Sequence, residues 1–405
     1  MKGKGVIITT YFSLNDALIQ AYTLPYVEII RDCIPKEYPV ILVTVDKISN
    51  ESEKKALQKE IKQLAAVGIT VVSFTYYPFG IGLLRWIPGL LRLLITATSS
   101  SIGTIHAWCT PGGIFGYFLS IVTGKRLVLD SFEPHAEVMS ETGTWKRNSL
   151  KFKVLFWLEK NMVRRSEIQI CCTADMKDYS YRAYGKKLDH YFVKPAGVDL
   201  MKFNVGIKKD AVLEKKFGLE DKLVCVYAGK FGGLYLKQEI FDFLKMAYDR
   251  WGERFRALLL TNESEKNIST YCNKSGLPEH VILKAFVPHE EVARYIGLAD
   301  FALAPYQPVP SRKYAAPIKV SEYWALGIPV VITSNIADDS RIIAERKYGS
   351  ILKSLDSHGY QLTLIEIENL LLSKEEHSLE KKIRSFAEEH RGYSTSAPIY
   401  QQIYG

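Results

Sequence analysis

A glycine- and lysine-rich segment in the second half of the chain has the residue types of a phosphate site. It reads Tyr227-Ala-Gly-Lys-Phe-Gly-Gly-Leu-Tyr-Leu-Lys237 and follows an apolar run typical of a β-strand. Glycines let the backbone approach a ligand closely, and the cations of Lys230 and Lys237 could bind a diphosphate. The Walker A pattern is absent. A glycine-rich turn with solvent-facing lysines would have the same composition, so this segment alone does not decide between the two interpretations.

A second segment, Ser311–Val331, combines a polar loop, a short helix and a buried strand. The loop ends at Pro317, and the helix carries Lys319 and Glu322 one turn apart. The Glu322 carboxylate could accept both hydroxyls of a ribose, while the helix N-terminus faces a phosphate. The alternative is a surface i, i+3 ion pair worth ~0.3 kcal/mol. That alternative leaves the neighbouring loop and strand unexplained.

Ionisable side chains also follow a strand in the first half, within Leu127–Glu137. We take His135 as the candidate functional residue, with Asp130 and Glu133 behind it. A histidine that only caps the next helix is the alternative. His106 lies inside an apolar run and is interpreted as structural. Because no histidine has metal-ligand spacing with another, we predict no metal site and no cofactor.

These residues need a framework in which strands and helices alternate. Short β-branched runs separated by helix-length segments, such as Glu51–Ala66, predict parallel sheets covered by helices, an α/β fold. In such sheets, ligands bind beyond the carboxyl ends of the strands. Strands are predicted at 5–12, 40–46, 69–76, 104–109, 126–132, 167–172 and 190–195, and then at 223–229, 256–261, 281–287, 301–305, 329–333 and 349–352.

Two doubly wound, Rossmann-like domains follow from this order. We predict a first domain over 1–195 and a second domain over 196–385. The polar segment Met201–Asp221 is interpreted as the connection between the domains.

The motifs resemble those of the family 4 glycosyltransferases, which are retaining, metal-independent enzymes of the GT-B fold. The resemblance runs along most of the chain. Val193–Phe203 resembles the "P-x-G-V-D-x-x-x-F" segment, and Phe286-Val287-Pro288 corresponds to a turn whose backbone reads the base. Lys319–Val331 matches "K-x-x-E-x-x-A-x-G-x-P-V-V". Together these motifs are specific for the fold and the type of donor, but they do not identify the sugar.

The resemblance implies that 1–195 is the acceptor-binding domain, joined by the C-terminal helix 386–405 that crosses back to it, and that 196–385 is the nucleotide-sugar-binding domain. It also implies that the two domains face a central cleft, and it assigns roles to individual residues. Lys230 and Lys237 correspond to the residues that grip the donor diphosphate, and His135 to a histidine near the reacting carbon. The implied donor contacts are Gly229, Phe286, Val287, Pro317, Ile318, Lys319, Val320 and Glu322. The sugar or acceptor side is expected to include Ser13, Asn15, Asp16, Asp130, Glu133 and Tyr314.

The sequence departs from the family at four places, one of which is the spacing from Lys230 to Lys237, a residue longer than expected. The first glutamate of the Glu-x7-Glu motif is replaced by Tyr314, which suggests an altered sugar pocket. Phe286 replaces a glycine. Tyr11–Asp16 stands where the family has a glycine-rich turn after the first strand.

Charge is distributed unevenly, since residues 1–194 carry 25 basic and 17 acidic side chains against 28 and 27 in the remainder. This excess suggests an anionic partner for the first domain. The segments Phe79–Leu94 and Trp145–Lys160 interleave basic and apolar residues, so an anionic membrane surface is a candidate partner. Helices that pack on the sheet with lysines outward are the alternative. No nucleic-acid-binding module is recognised.

The six cysteines show no C-x-x-C pair, and no signal peptide or membrane-length apolar run is visible. We therefore expect a cytoplasmic protein that can associate peripherally with the inner face of the membrane. The expected activity is transfer of a sugar from a nucleotide-diphosphate donor to a glycan or lipid-linked acceptor, in bacterial surface polysaccharide or glycoconjugate synthesis. A sugar-nucleotide 2-epimerase and a non-catalytic nucleotide-sugar-binding subunit are the alternatives.

Overall fold

The computed structural model describes residues 3–16, 18–77, 81–373 and 376–405. The chain forms two units, each built around its own parallel β-sheet. The first unit contains Met1–Glu137, Lys146–Pro195 and Tyr393–Gly405, and the second contains Val138–Trp145 and Ala196–Gly392.

The first unit has a seven-stranded sheet in the order β3-β2-β1-β4-β5-β6-β7. Every residue of the central strands β1 and β2 is buried, because helices cover both faces of a parallel sheet. The strands are β1 (Gly5–Thr9), β2 (Val40–Asp46), β3 (Ile69–Thr75), β4 (Ile102–Trp108), β5 (Arg126–Phe132), β6 (Ile168–Cys171) and β7 (His190–Val193).

Helices of the first unit follow the strands in alternation. Helix α2 has the predicted bounds, and its start is fixed by Asn50, whose side chain accepts the Glu53 N–H at 2.9 Å. The helices are α1 (Leu24–Cys33), α2 (Glu51–Ala66), α3 (Ile87–Thr98), α4 (Cys109–Thr123), α5 (His135–Glu141), α6 (Leu150–Arg165) and α7 (Met176–Tyr179). The last residues of α5 belong to the second unit.

The second unit has a six-stranded sheet in the order β10-β9-β8-β11-β12-β13. Its central strand β8 lies beside β11, so the loops after these two strands leave the same edge of the sheet. The strands are β8 (Leu223–Ala228), β9 (Phe255–Leu260), β10 (Ile282–Ala285), β11 (Phe301–Ala304), β12 (Val330–Thr333) and β13 (Gly349–Leu352).

The helices around this second sheet are α8 (Ala211–Phe217), α9 (Gln238–Trp251), α10 (Glu265–Ser275), α11 (Val292–Ile296), α12 (Ile318–Ala325), α13 (Asp339–Arg346), α14 (Ser357–Leu371) and α15 (Glu376–His390). The chain then returns to the first unit, which ends with α16 (Ala397–Tyr404).

The thirteen strands predicted from the sequence are all present, and the α/β fold with two parallel sheets is confirmed. The interpretation of Met201–Asp221 as a connection is wrong. Phe203, Leu213 and Leu219 from this segment are buried in the core of the second unit. The chain changes unit between Pro195 and Ala196, and it returns at Tyr393 instead of residue 386, since Phe386 and Ala387 of α15 also lie in that second core.

Candidate functional site

The end of β8 and the start of α12 meet at Gly229. A Cβ atom at this position would lie 2.7 Å from the Lys319 ammonium and 3.1 Å from the Tyr227 hydroxyl. The hydroxyl of Tyr323 in α12 accepts the Ala228 N–H at 3.1 Å and joins the two elements. A side chain at residue 229 would therefore fill space in front of a lysine and a helix N-terminus.

Lys319 is buried, although the sequence also allowed a surface position. Its ammonium lies 4.0 Å from the ring centroid of Tyr235, 4.7 Å from that of Tyr227 and 5.4 Å from that of Tyr306. Within the described chain the ammonium has no hydrogen-bond partner of good geometry. Burial lowers the pKa of Lys319, while Tyr235 and Glu322 raise it by less. Lys319 is thus a buried cation held mainly by aromatic faces, with hydrogen-bond donors left for a further partner.

Arg312 is a second buried cation, and it is not among the residues predicted from the sequence. It lies in a 3-10 turn, Pro310–Tyr314, and only 4% of its surface is exposed. Its guanidinium carbon lies 4.8 Å from the Tyr306 ring centroid, and its Nε has no hydrogen-bond partner among the described residues. The sequence signal for Arg312 is a basic side chain two residues before Tyr314, the position at which the family has a glutamate.

Glu322 lies one turn after Lys319 on α12. Burial raises its pKa to about 7, although Lys202 and Lys319 lower it. Lys202 donates to His289 Nδ1 at 2.6 Å. Burial lowers the pKa of His289 and Lys202 lowers it further, so the neutral ring can accept this bond. Glu322 is therefore a carboxyl group that titrates near neutral pH beside two lysines.

Lys230 and Lys237 are exposed, unlike Lys319. The Lys230 carbonyl accepts the Tyr227 hydroxyl, which fixes the backbone of the turn. The Lys237 ammonium lies 5.6 Å from the Tyr271 ring centroid, beside α10. The structure thus brings Lys319, but not these two ammonium groups, into the tyrosine cluster formed by Tyr227, Tyr235 and Tyr306.

The other predicted donor residues divide into buried and exposed groups. Pro317 is the N-cap of α12, Val320 is fully buried, Ile318 is half-buried, and Tyr314 is 5% exposed. In the loop after β10, Phe286 is 75% exposed, whereas Val287 packs against the core. The aromatic face of Phe286 is therefore open to a ligand.

In the first unit, His135 begins α5 beside two glutamates. Its Nδ1 lies 3.8 Å from the Glu133 carboxylate. Burial lowers the pKa of His135, but Glu133 and Glu159 together raise it above its usual value. Glu159 is buried, and burial raises its pKa to about 8. It accepts the Ala136 N–H at 2.9 Å and thereby holds the first turn of α5.

Asp130 does not face a ligand, which corrects the expectation of a sugar-side role. It is fully buried, and its carboxylate pairs with Lys194 at 2.7 Å and with His106 at 3.1 Å. The Tyr400 hydroxyl of α16 donates to it at 2.6 Å. His106 is structural, as its apolar surroundings in the sequence indicate. This carboxylate is fully occupied by interior partners.

The strand-end loops of the first unit contain the remaining predicted residues. Ser13 donates to buried Asp46 at 3.0 Å, and the Asp16 carboxylate accepts the Leu18 N–H at 2.8 Å. Asn15 is exposed. At the ends of the adjacent strands β4 and β5, Cys109 and Ser131 have φ values of 55° and 53°. Such left-handed backbone in residues other than glycine clusters at functional sites.

Across the described residues, no three His, Cys, Asp or Glu side chains are grouped so that they could hold a metal ion. The helices in the same part of the chain are too short or too polar to cross a membrane.

The family model for glycosyl transferases group 1 matches residues 223–366, which run from β8 to α14. No curated protein matches the chain.

Solved structures resemble the whole chain at low sequence identity. Anabaena Alr3699/HepE in complex with UDP has 15% identity and a TM-score of 0.69, with 100% of this chain and 98% of that chain covered. Sucrose-phosphate synthase from Thermosynechococcus elongatus has 13% identity and a TM-score of 0.69, with 98% and 97% covered. WaaG, a glycosyltransferase involved in lipopolysaccharide biosynthesis, has 11% identity and a TM-score of 0.68, with 98% and 99% covered.

The structural matches establish the fold of the whole chain. The family model shows that residues 223–366, from β8 to α14, resemble the glycosyl transferases group 1. Together they show a chain of the GT-B fold in which residues 223–366 match the glycosyl transferases group 1.

Proposed function

We propose that the protein transfers a sugar from a UDP-sugar to a glycan or lipid-linked acceptor, with retention of the anomeric configuration. The observation that carries the proposal is the buried ammonium of Lys319, which lies beside Gly229 and the N-terminus of α12 and has no hydrogen-bond partner of good geometry among the described residues. Buried cations are costly unless paired, and a diphosphate supplies the missing charge. UDP is proposed because Alr3699/HepE was crystallised with UDP and with UDP-glucose.

Three cationic groups are assigned to the diphosphate. Lys319 and the first N–H groups of α12 form the fixed part of the site, since burial and packing hold them in place. Lys230 and Lys237 are exposed and contribute by side-chain movement when the donor binds. Gly229 leaves room for the diphosphate to approach the backbone.

The nucleoside is assigned to the neighbouring loops. The Glu322 carboxylate accepts the ribose hydroxyls, and Phe286 and Val287 contact the base. Pro317, Ile318 and Val320 shape the start of α12 and hold its N–H groups toward the phosphates. Burial raises the pKa of Glu322 to about 7, and Lys202 limits this rise because its positive charge favours the carboxylate.

In the proposed reaction, the bond between the anomeric carbon and the diphosphate oxygen breaks, and the acceptor hydroxyl attacks the same face of the sugar. The acceptor proton moves to the departing diphosphate oxygen. No enzymatic carboxylate attacks the anomeric carbon. The protein stabilises the charge that develops on the diphosphate, and His135 orients the sugar through a hydrogen bond to a hydroxyl.

The protein's own cations take the role that a divalent ion has in other transferases, so the proposed reaction requires no metal. Activity that is unchanged by EDTA is the expected result, and activity restored only by Mg²⁺ or Mn²⁺ would contradict it.

The acceptor is assigned to the first unit together with Ser13, Asn15, Asp16 and Glu133. Peripheral association with an anionic membrane, at its cytoplasmic face, is proposed for the same unit. A role in bacterial surface polysaccharide or glycoconjugate synthesis is consistent with the lipopolysaccharide role of WaaG.

The test is incubation of the purified protein with radiolabelled UDP-sugars, with and without lipid acceptors. Transfer of label with an anomeric configuration matching the donor, read by NMR, supports the proposal. Interconversion of epimeric UDP-sugars without an acceptor would instead support the 2-epimerase alternative. Tight UDP binding with no turnover of any donor would support the binding subunit.

A further inference from the structure

The tyrosine cluster contains one more buried cation than the diphosphate site uses. Lys319 points at Gly229, the turn assigned to the diphosphate. Arg312 lies on the preceding 3-10 turn and contacts Tyr306, the ring that Lys319 also approaches. The two positive charges lower the pKa of Tyr235, Lys319 more than Arg312. Since Glu322 is the carboxyl group beside Lys319, the two cations together give the cluster an excess of positive charge.

Arg312 has no carboxylate partner in the described part of the chain. The neighbouring acidic group, Glu141, accepts the Ser311 N–H at 2.7 Å and makes no ion pair with Arg312. An arginine that is 4% exposed, with an Nε that has no partner among the described residues, costs free energy unless a ligand completes its hydrogen bonds. Its donors form a planar fork that suits a carboxylate.

The position of Arg312 indicates that its ligand is a group on the sugar and not a phosphate. Arg312 and Tyr314 lie in the same turn, and Tyr314 occupies the place of the glutamate expected to contact sugar hydroxyls. Arg312 and Tyr314 are both buried, so a buried cation lies two residues from a neutral side chain that replaces the expected acid. The loss of an acid next to a buried cation favours a sugar that is itself negatively charged.

We propose that the transferred sugar carries a carboxylate, as a hexuronic acid does, and that Arg312 binds this carboxylate. The inference rests on the proposed function, because it assigns the sugar of the same donor. The carboxylate takes no part in bond breaking. Arg312 sets donor specificity by pairing with it, while Lys319 binds the diphosphate one sugar ring away.

The first experiment uses the unmodified protein and isothermal titration calorimetry with UDP, UDP-glucose, UDP-glucuronic acid and UDP-galacturonic acid. We expect one of the uronic acid donors to bind about 10- to 100-fold more tightly than UDP-glucose, the range of one charge-assisted hydrogen-bonded pair. Equal or weaker binding of both uronic acid donors overturns the inference. Failure to bind UDP itself overturns the proposed function instead.

The second experiment compares Arg312→Leu with Lys313→Leu, which removes the adjacent positive charge. Arg312→Leu is expected to abolish the preference for the uronic acid donor while keeping the affinity for UDP. Lys313→Leu is expected to keep both. If Arg312→Leu weakens UDP, UDP-glucose and the uronic acid donor by the same factor, Arg312 binds the diphosphate and the inference is wrong. If Arg312→Leu does not fold, the inference is tested by the comparison of donors on the unmodified protein.

Discussion

The ammonium group of Lys194 lies 2.7 Å from the carboxylate of Asp130, and both side chains are completely buried. The same ammonium lies 3.9 Å from the Tyr26 ring centroid and 4.1 Å from that of Trp108. It also donates to the Tyr400 hydroxyl at 2.8 Å. This network attaches the C-terminal helix to the sheet of the first unit, directly before the chain leaves that unit at Pro195.

Removing one partner of this pair should destabilise the first unit strongly. Lys194→Met leaves the Asp130 carboxylate buried without its cation, so we expect a loss of about 3–5 kcal/mol in the free energy of unfolding. The double variant Lys194→Met/Asp130→Leu should lose less than the single one, because no charge is left unpaired. Urea denaturation measures both. The exposed Lys187→Met is the control and should change stability by less than about 0.5 kcal/mol; an equally small effect of Lys194→Met would contradict the role of the pair.

Long-range partners explain why the strands could be predicted and the state of these side chains could not. Apolar β-branched runs mark β5 and β8 locally, so their positions followed from the sequence. Asp130 looked like a strand-end acid, but its partners Lys194 and Tyr400 come from distant positions. Lys319 similarly needed Tyr235 and other distant rings to become a buried cation, which the spacing of Lys319 and Glu322 does not show.

Donor binding should depend on the ionisation of Glu322. Burial raises the pKa of this carboxyl to about 7 in the free protein, although Lys202 and Lys319 lower it. Below pH 7 the group is protonated and accepts ribose hydroxyls poorly, so affinity should rise with pH. We expect UDP-glucose to bind about tenfold more weakly at pH 6 than at pH 8.

UDP-glucose is the suitable ligand for this measurement, since its diphosphate is esterified at both ends and keeps its charge over this range. Glu322→Gln should bind with a low, pH-independent affinity, and calorimetry at several pH values tests this. An unchanged pH dependence in Glu322→Gln would assign the titration to another group.

Membrane binding should depend on an apolar surface of the first unit. Helix α4 packs against α3 and α6, and all three helices have exposed apolar side chains, while most of the chain's excess positive charge lies in the first half. Residues Phe79 and Gly80 of one predicted membrane segment lie outside the described residues. The exposed apolar side chains are Ile87, Leu91, Ile95, Phe118, Ile121, Val122, Leu150, Val154 and Trp157.

We expect vesicles with anionic lipid to bind the protein, and added salt to weaken this binding. Leu91→Ser/Ile95→Ser should reduce co-sedimentation, because both side chains are more than half exposed on α3. Val212→Ser in the second unit is the control for loss of an exposed apolar side chain. Vesicle binding that does not change with lipid charge or salt concentration would contradict the membrane assignment.

His135 should affect turnover more than nucleotide affinity. Its ring lies beside Glu133, and Glu159 holds the helix turn that begins at His135. If His135 orients the sugar, His135→Ala should lower kcat by about 10²-fold, a typical loss when a reacting group is no longer positioned. The Kd for UDP should stay within about twofold, because UDP lacks the transferred sugar that His135 would orient. His135→Asn retains a hydrogen-bond donor and should recover part of the activity.

His190→Ala, which removes an exposed histidine on β7, is the matched control. Steady-state kinetics, UDP titration and thermal unfolding on all three variants separate the roles: a His135→Ala protein with lowered stability and UDP affinity but normal kcat would show that His135 only caps α5.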